Sequence, residues 1–306
     1  MNKTKIIINQ LKDYKNYLQE RRNFSFNTIN AYITDICDLL YFINKDKKIN
    51  DFTLIHYNHI RKYVVFLKQE KYADRTIARK ISSFRVFFNY LIQQELINSN
   101  PAEYIQIPKI KKGLPDFLFF EEVIKLIDSF KENKPIIKRN QAIIELLYGT
   151  GMRVTELSSL NIEDINLDDD IIKVLGKGSK ERIIPFSKPA KTAICNYFKY
   201  REQVPRANDY QSVCSKALFI NCIGKRLSPR SIRRMINKYM QLAHLNKKIS
   251  PHVFRHTFAT HLLNGGADLR SVQELLGHES LSTTQIYTHI TKEKLIKTYK
   301  NSIPRK

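Results

Sequence analysis

The sequence predicts a mainly α-helical protein of two domains, an N-terminal four-helix bundle followed by a mixed α+β domain with a small antiparallel sheet. Three observations predict it. Apolar residues recur at steps of three and four through the first third of the chain, a basic, Pro-flanked stretch without periodicity interrupts the pattern near residue 110, and two β-rich runs around a glycine-bearing turn occur only beyond it. At 306 residues the length also exceeds what one small core serves.

The first helix is marked by Ile7, Leu11, Tyr14 and Leu18, and the second by Ile29, Ile33, Ile36, Leu40 and Ile43. Ile60, Val64 and Leu67 mark the third, and Ile77, Ile81, Phe84, Phe88 and Leu91 the fourth, where Arg75, Arg79, Lys80 and Arg85 are assigned to the other faces. Asn100-Pro101 stops the helical pattern, and Pro108-Lys109-Ile110-Lys111-Lys112-Gly113-Leu114-Pro115 reads as a linker. The expected division is therefore 1–108 for the helical domain, 109–116 for the linker and 117–306 for the second domain, including a tail over 291–306.

In the second domain a helical pattern over Asn140–Tyr148 ends at Gly149-Thr150-Gly151, and a short helix is expected over Arg153–Leu160. Ile171–Leu175 and Arg182–Phe186 form a predicted hairpin around Gly176-Lys177-Gly178-Ser179-Lys180-Glu181, which puts Lys177 at its tip. Helices are expected again over Pro189–Tyr200 and Pro229–Ala243. Ser250-Pro251 begins another, with Ser as N-cap and Pro at the first helical position, and Gly265-Gly266 ends it.

Composition narrows the function. A formal charge of +23, from 52 Lys and Arg against 29 Asp and Glu, calls for a polyanionic partner, with nucleic acid first. Both halves share the excess: 17 basic against 10 acidic residues in 1–108, and 35 against 19 in the remainder. A two-jawed clamp on a duplex needs that distribution, whereas one binding module tethered to a neutral enzyme does not. No apolar run is long enough for a membrane span and the N-terminus lacks the apolar core of a signal peptide, so a cytoplasmic location away from membranes is expected. Cys37, Cys195, Cys214 and Cys222 include no C-x-x-C pair, which argues against a disulfide framework or a cysteine zinc site.

His252 and Arg255, three apart in the opening turns of one helix, share a face where free N–H groups and the helix dipole favour an anion such as a phosphodiester. A His and an Arg simply solvated at a helix start would leave the same signature. His252 and His256 also have the spacing of a helical zinc pair, yet Val253 stands where the H-E-x-x-H form places its Glu, so no metal site is expected. Nothing matches G-x-x-x-x-G-K-[ST], and no acidic cluster suggests paired magnesium ions, so no cofactor is expected.

Five stretches, taken in order, resemble the catalytic boxes of tyrosine recombinases: Thr150-Gly151-Met152-Arg153-Val154-Thr155-Glu156-Leu157, Gly176-Lys177-Gly178-Ser179-Lys180-Glu181-Arg182, His252-Val253-Phe254-Arg255-His256, Leu276-Gly277-His278 and Gln285-Ile286-Tyr287-Thr288-His289. The resemblance spans nearly the whole chain and is greatest to the bacterial Xer recombinases. It implies a SAM-like core-binding bundle ahead of a tyrosine-recombinase catalytic domain. It also implies roles. Tyr287 is the nucleophile; Arg153 and Arg255 hold the nonbridging phosphate oxygens; His252 and His278 donate hydrogen bonds or move protons; Lys177 protonates the departing 5′ oxygen, with Lys180 the competing lysine on that turn. Glu156 is expected to orient its neighbours. Because a free phenol with pKa near 10 is about a thousandfold under-ionised at neutral pH, Tyr287 needs a base and fixed positive charge, and His252 is the candidate base.

The resemblance further implies double-stranded DNA at a short specific site as partner, with Arg75, Arg79, Lys80 and Arg85 among the DNA contacts. It implies a tetramer on DNA, formed with further copies or a paralogous Xer recombinase, that resolves chromosome or plasmid dimers alongside an FtsK-like translocase. The tail, whose apolar stripe of Leu295, Ile296 and Tyr299 is too small to fold alone, would dock on a neighbouring subunit; packing within its own chain is the simpler alternative. Two other readings stand beside this one. A mobile-element integrase would use the same chemistry, usually behind an extra arm-binding domain, whereas here the helical pattern begins by about residue 5. A non-catalytic DNA-binding protein would not need the complete set of boxes.

Overall fold

The computed structural model describes residues 3–22, 24–46, 51–109, 117–176, 181–204, 216–245, 250–277 and 289–305. The chain divides into two compact units, Met1–Gly113 and Leu114–Lys306. It is mainly helical with one small antiparallel sheet, the class the sequence predicts.

In the first unit, α1 (Lys3–Glu20), α2 (Phe26–Asp46), α3 (Tyr57–Gln69) and α4 (Asp74–Gln93) follow the four apolar stripes, with a short 3-10 turn at Phe52–Leu54. Tyr14, Leu18, Ile36, Ile60, Ile77, Ile81, Phe84 and Phe88 are buried in one core. The helices exist because each has one such face to hide: an isolated helix of this length is marginal in water, and α4 contributes the largest share of the buried aromatics.

The structure corrects the reading of α4's basic residues. Lys80 is only 4 % exposed. Its Nζ donates to Asp35 Oδ1 at 3.0 Å and to Asp38 Oδ2 at 2.7 Å, both on α2, and Arg79 also pairs with Asp35. Lys80 is thus an internal tie between two helices rather than a surface cation. Burial opposes its charge, but the hydrogen bonds it donates to Asp38 and Asp35 outweigh that and raise its pKa. Arg85 is also committed within the unit, donating to the carbonyls of Ala102 (3.2 Å) and Ile105 (2.7 Å) and so fastening the segment after α4. Arg75 stays exposed, and Arg79 keeps part of its side chain in solvent.

The second unit is built around α6 (Pro135–Thr150), whose Ile143, Ile144, Leu146 and Leu147 are all buried, as befits a helix covered on every side. α8 (Lys188–Arg201) and α10 (Pro251–Asn264) pack against it. β1 (Ile165–Asn166), β2 (Ile171–Leu175) and β3 (Glu181–Pro185) form the sheet in that order; β2 and β3 pair from Ile171 opposite Pro185 to Leu175 opposite Glu181, the predicted hairpin. α7 (Val154–Ser159), α9 (Pro229–Leu242) and α10 lie within one or two residues of their expected bounds, α10 with Pro251 at its start and Gly265 as C-cap. α5 (Phe120–Asp128), β1 and α11 (Leu269–Leu276) were not expected.

The tail over 291–306 belongs to α12 (His289–Ser302) and the residues after it. Leu295, Tyr299 and Ile303, at steps of four, are buried with Phe258, Leu262, Val272 and Leu276 of α10 and α11. The Tyr299 hydroxyl donates to the Gly149 carbonyl at 2.7 Å, and Arg305 pairs with the buried Glu145 of α6. In this single chain the tail packs on its own unit.

Candidate active site

The turn leaving α6 is the foundation of the site. Gly151 caps α6 at φ 61°, and a Cβ there would lie 2.4 Å from Phe258 Cδ1 and 2.9 Å from Leu276, so the residue must be glycine on both counts. The chain then reverses into α7 with Arg153 as N-cap. Glu156, at the third helical position, reaches back to accept from the Arg153 backbone N–H (Oε2, 2.7 Å) and from the Arg153 guanidinium (Oε1, 2.9 Å).

The same carboxylate is gripped from the sheet. Arg182 of β3 donates through Nη1 to Oε1 (3.0 Å) and through Nη2 to Oε2 (2.8 Å), a two-pronged contact between side chains that are 9 % and 7 % exposed. Glu156 thereby accepts four hydrogen bonds. Burial alone would raise its pKa; the hydrogen bonds from Arg182 and the Arg153 backbone and the charge of Arg182 more than offset this and hold the carboxyl below its usual value.

Arg255, in the second turn of α10, is 8 % exposed. Its Nη1 donates to the Gly151 carbonyl at 3.1 Å and its Nη2 to the Leu276 carbonyl at 2.6 Å, tying the α6 turn to the end of α11. Burial first, and then repulsion from Arg153, lower its pKa to about 10, which still leaves a full cation at neutral pH. The charges of Arg153 and Arg182, both paired with Glu156, thus bear on Arg255 around a single carboxylate. Among the described residues, three guanidiniums against one carboxylate leave a local excess of positive charge, partly shielded from water, where an anion's charge counts for more than in bulk solvent. His252 is exposed at the opening turn of α10, one turn before Arg255.

The structure thus brings together Arg153, Glu156 and Arg255. Lys177, His278 and Tyr287 lie outside the described residues, although the strands flanking Lys177 and the α11 end preceding His278 are described. Two features went unread in the sequence. Arg182 closes a quoted motif but was not singled out, since an Arg on a strand has no spacing signature of its own. On α9, Arg230, Arg233, Arg234 and Lys238 lie exposed, opposite the buried Ile232, Ile236, Tyr239 and Met240. Steps of three, four and eight would have revealed that stripe.

The family described as "Phage integrase family" matches residues 116–294, and "Phage integrase, N-terminal SAM-like domain" matches residues 11–95. The tyrosine recombinase XerC of Listeria welshimeri is 41% identical over 297 residues, covering 96% of this chain and 97% of the relative. That of Pediococcus pentosaceus is 42% identical over 293 residues, covering 95% and 97%. Among solved structures, the site-specific recombinase XerH bound to difH substrate has the same fold, with a TM-score of 0.66 at 23% identity over 96% of this chain and 81% of that one. The Tn1549 transposon integrase in complex with circular intermediate DNA gives 0.67 at 19% identity over 93% and 98%. The chain belongs to the phage integrase family of tyrosine recombinases, and its XerC relatives match it along almost their whole length.

Proposed function

We propose that this protein is a site-specific DNA recombinase that cleaves and rejoins strands through a 3′-phosphotyrosine at Tyr287, passing through a Holliday junction. The observation that carries the proposal is the cluster of the buried Arg255 and the half-exposed Arg153 around the saturated carboxylate Glu156, in a chain 41% identical to tyrosine recombinases XerC. A phosphodiester is an anion suited to that cluster, and the transition state of its cleavage puts more charge on the nonbridging oxygens the guanidiniums would hold.

In the reaction, the Tyr287 hydroxyl forms a bond to phosphorus as the bond to the 5′ oxygen breaks. His252 takes the phenol proton, Lys177 returns one to the leaving 5′ oxygen, and His278 donates a hydrogen bond to the phosphate. A 5′ hydroxyl then attacks the phosphotyrosine and restores both groups. Each phosphoester bond broken is replaced by another, so the cycle needs neither ATP nor a metal. Double-stranded DNA lies against the positive surfaces of both units, with Arg75 and Arg79 on α4 and Arg230, Arg233, Arg234 and Lys238 on α9 as contacts. The names of the relatives favour a Xer role over that of a mobile-element integrase. That role comprises a tetramer on DNA, with further copies or a paralogue, which resolves chromosome or plasmid dimers in the cytoplasm, alongside an FtsK-like translocase.

The test uses a duplex bearing the site recovered by footprinting on genomic DNA, nicked so that the cleaved intermediate is trapped. A denaturing gel should show a covalent protein–DNA band with the wild-type chain and none with Tyr287→Phe. An adduct that survives Tyr287→Phe refutes the assignment.

A further inference from the structure

Arg182 joins three stretches far apart in sequence. It stands on β3, one residue inside the hairpin that carries Lys177. Its two terminal nitrogens grip Glu156, which in turn holds the backbone and side chain of Arg153. Its stem lies across the cap of α11: a Cβ on Gly277 would come within 3.1 Å of Arg182 Cδ, 3.2 Å of Nε and 3.4 Å of Cζ. Gly277 has φ 66°, the left-handed conformation that favours glycine, and a side chain there would press tightly on the Arg182 stem. His278 follows directly.

Arg182 is nine-tenths buried, and its Nε–H has no hydrogen-bond acceptor among the described residues. A buried ion pair kept for stability alone is poorly explained here, because hydrophobic replacements of such pairs are often neutral or stabilising, and an unsatisfied buried donor adds a further penalty. Arrangements that orient a reacting group through an intermediary do persist at such cost.

We propose that Arg182 is a positioning residue for strand cleavage: through Glu156 it fixes the Arg153 guanidinium, and through its contact with Gly277 it sets the α11 turn from which His278 departs, so that the hairpin and both phosphate-facing segments keep one geometry. The proposal rests on the recombinase reading above and extends it to a residue with no direct part in the chemistry. Lysine cannot replace Arg182, because one ammonium cannot span both carboxylate oxygens.

The experiment measures single-turnover adduct formation against DNA concentration on the nicked duplex, for the full chain and for Arg182→Lys, Glu156→Gln and the double variant, with thermal melts of each. Arg182→Lys should lower the maximal cleavage rate tenfold or more while the half-saturating DNA concentration stays within about twofold. The double variant should cleave no slower than the slower single one, since both act through one contact. Should Arg182→Lys fail to fold, Glu156→Gln carries the test and should show the same split between rate and affinity. Cleavage by Arg182→Lys at the wild-type rate overturns the inference, as does a loss in which rate, affinity and melting temperature fall together. If the wild-type chain forms no Tyr287-dependent adduct, the recombinase reading fails and takes this inference with it.

Discussion

Replacing Arg255 by Ala separates catalysis from folding and from DNA affinity. A guanidinium held at about 10 rather than 12.5 bears an electrostatic cost on the order of 3 kcal/mol in the free protein. Against that cost stand the hydrogen bonds to the carbonyls of Gly151 and Leu276 among the described residues, each worth about 1.5 to 3 kcal/mol for a charged donor. Two such bonds contribute about 3 to 6 kcal/mol, so Arg255→Ala should destabilise the protein by no more than about 3 kcal/mol. A phosphate in the cluster would relieve the cost, and the relief grows as charge accumulates in the transition state. Losing one such donor should slow cleavage about 100- to 1000-fold, corresponding to about 2.7 to 4 kcal/mol. DNA affinity, shared among many phosphate contacts, should fall less than about tenfold, and the slope of log affinity against log salt should change by about one at most. Adduct formation on the nicked duplex gives the rate, and fluorescence anisotropy across a salt series gives the affinity. Losses of equal size in rate and affinity would refute the reasoning, because they would make Arg255 an ordinary phosphate contact.

Three further outcomes follow from the packing. Lys80→Met should destabilise the first unit by about 3 kcal/mol in urea unfolding, because Asp35, 1 % exposed, would keep Arg79 alone as partner; a loss under about 0.5 kcal/mol would contradict the internal role of Lys80. Tyr299→Phe removes the donor to the Gly149 carbonyl, one of the carbonyls left without a helical partner at the end of α6. It should cost about 1 to 2 kcal/mol, seen as a melting temperature lower by about 2–8 °C, and an unchanged melt would dismiss that bond as a contributor. Glu156, whose folded pKa is depressed, contributes stability that is fully present above its unfolded value near 4.5 and is lost as pH falls through the lower folded value. The advantage of the wild type over Glu156→Gln in urea midpoint should therefore shrink as pH drops from about 5 to 3; a gap that stayed constant would mean the carboxylate's charge is not what the arginines hold.

The long elements were legible in the sequence because each has a single apolar face. The four stripes of the first unit map onto α1 to α4, and Ser250-Pro251 with Gly265 brackets α10. Short elements escaped: β1 has two residues and α11 eight, too few for a period to establish itself against tertiary packing. Lys80 was misread because charge was weighed above position. It lies three residues after Ile77 and four before Phe84, on the buried stripe itself, and Asp35 with Asp38 on α2 supply the counter-charge that burial demands. Within the candidate site, Arg153 and Arg255 were read from their motifs. Arg182 was not, since its importance arises only when β3, α7 and the end of α11 come together.

The saturation of Glu156 has one more chemical consequence. A carboxylate offers about four lone-pair directions, and here Arg153 and Arg182 occupy all of them. A hydrogen ion could be seated only by breaking one of these bonds, so near neutral pH this acid is a fixed counterweight to the surrounding cations and takes no turn as a reagent. Whatever relieves the attacking phenol of its hydrogen must have a free lone pair, and a neutral imidazole meets that requirement.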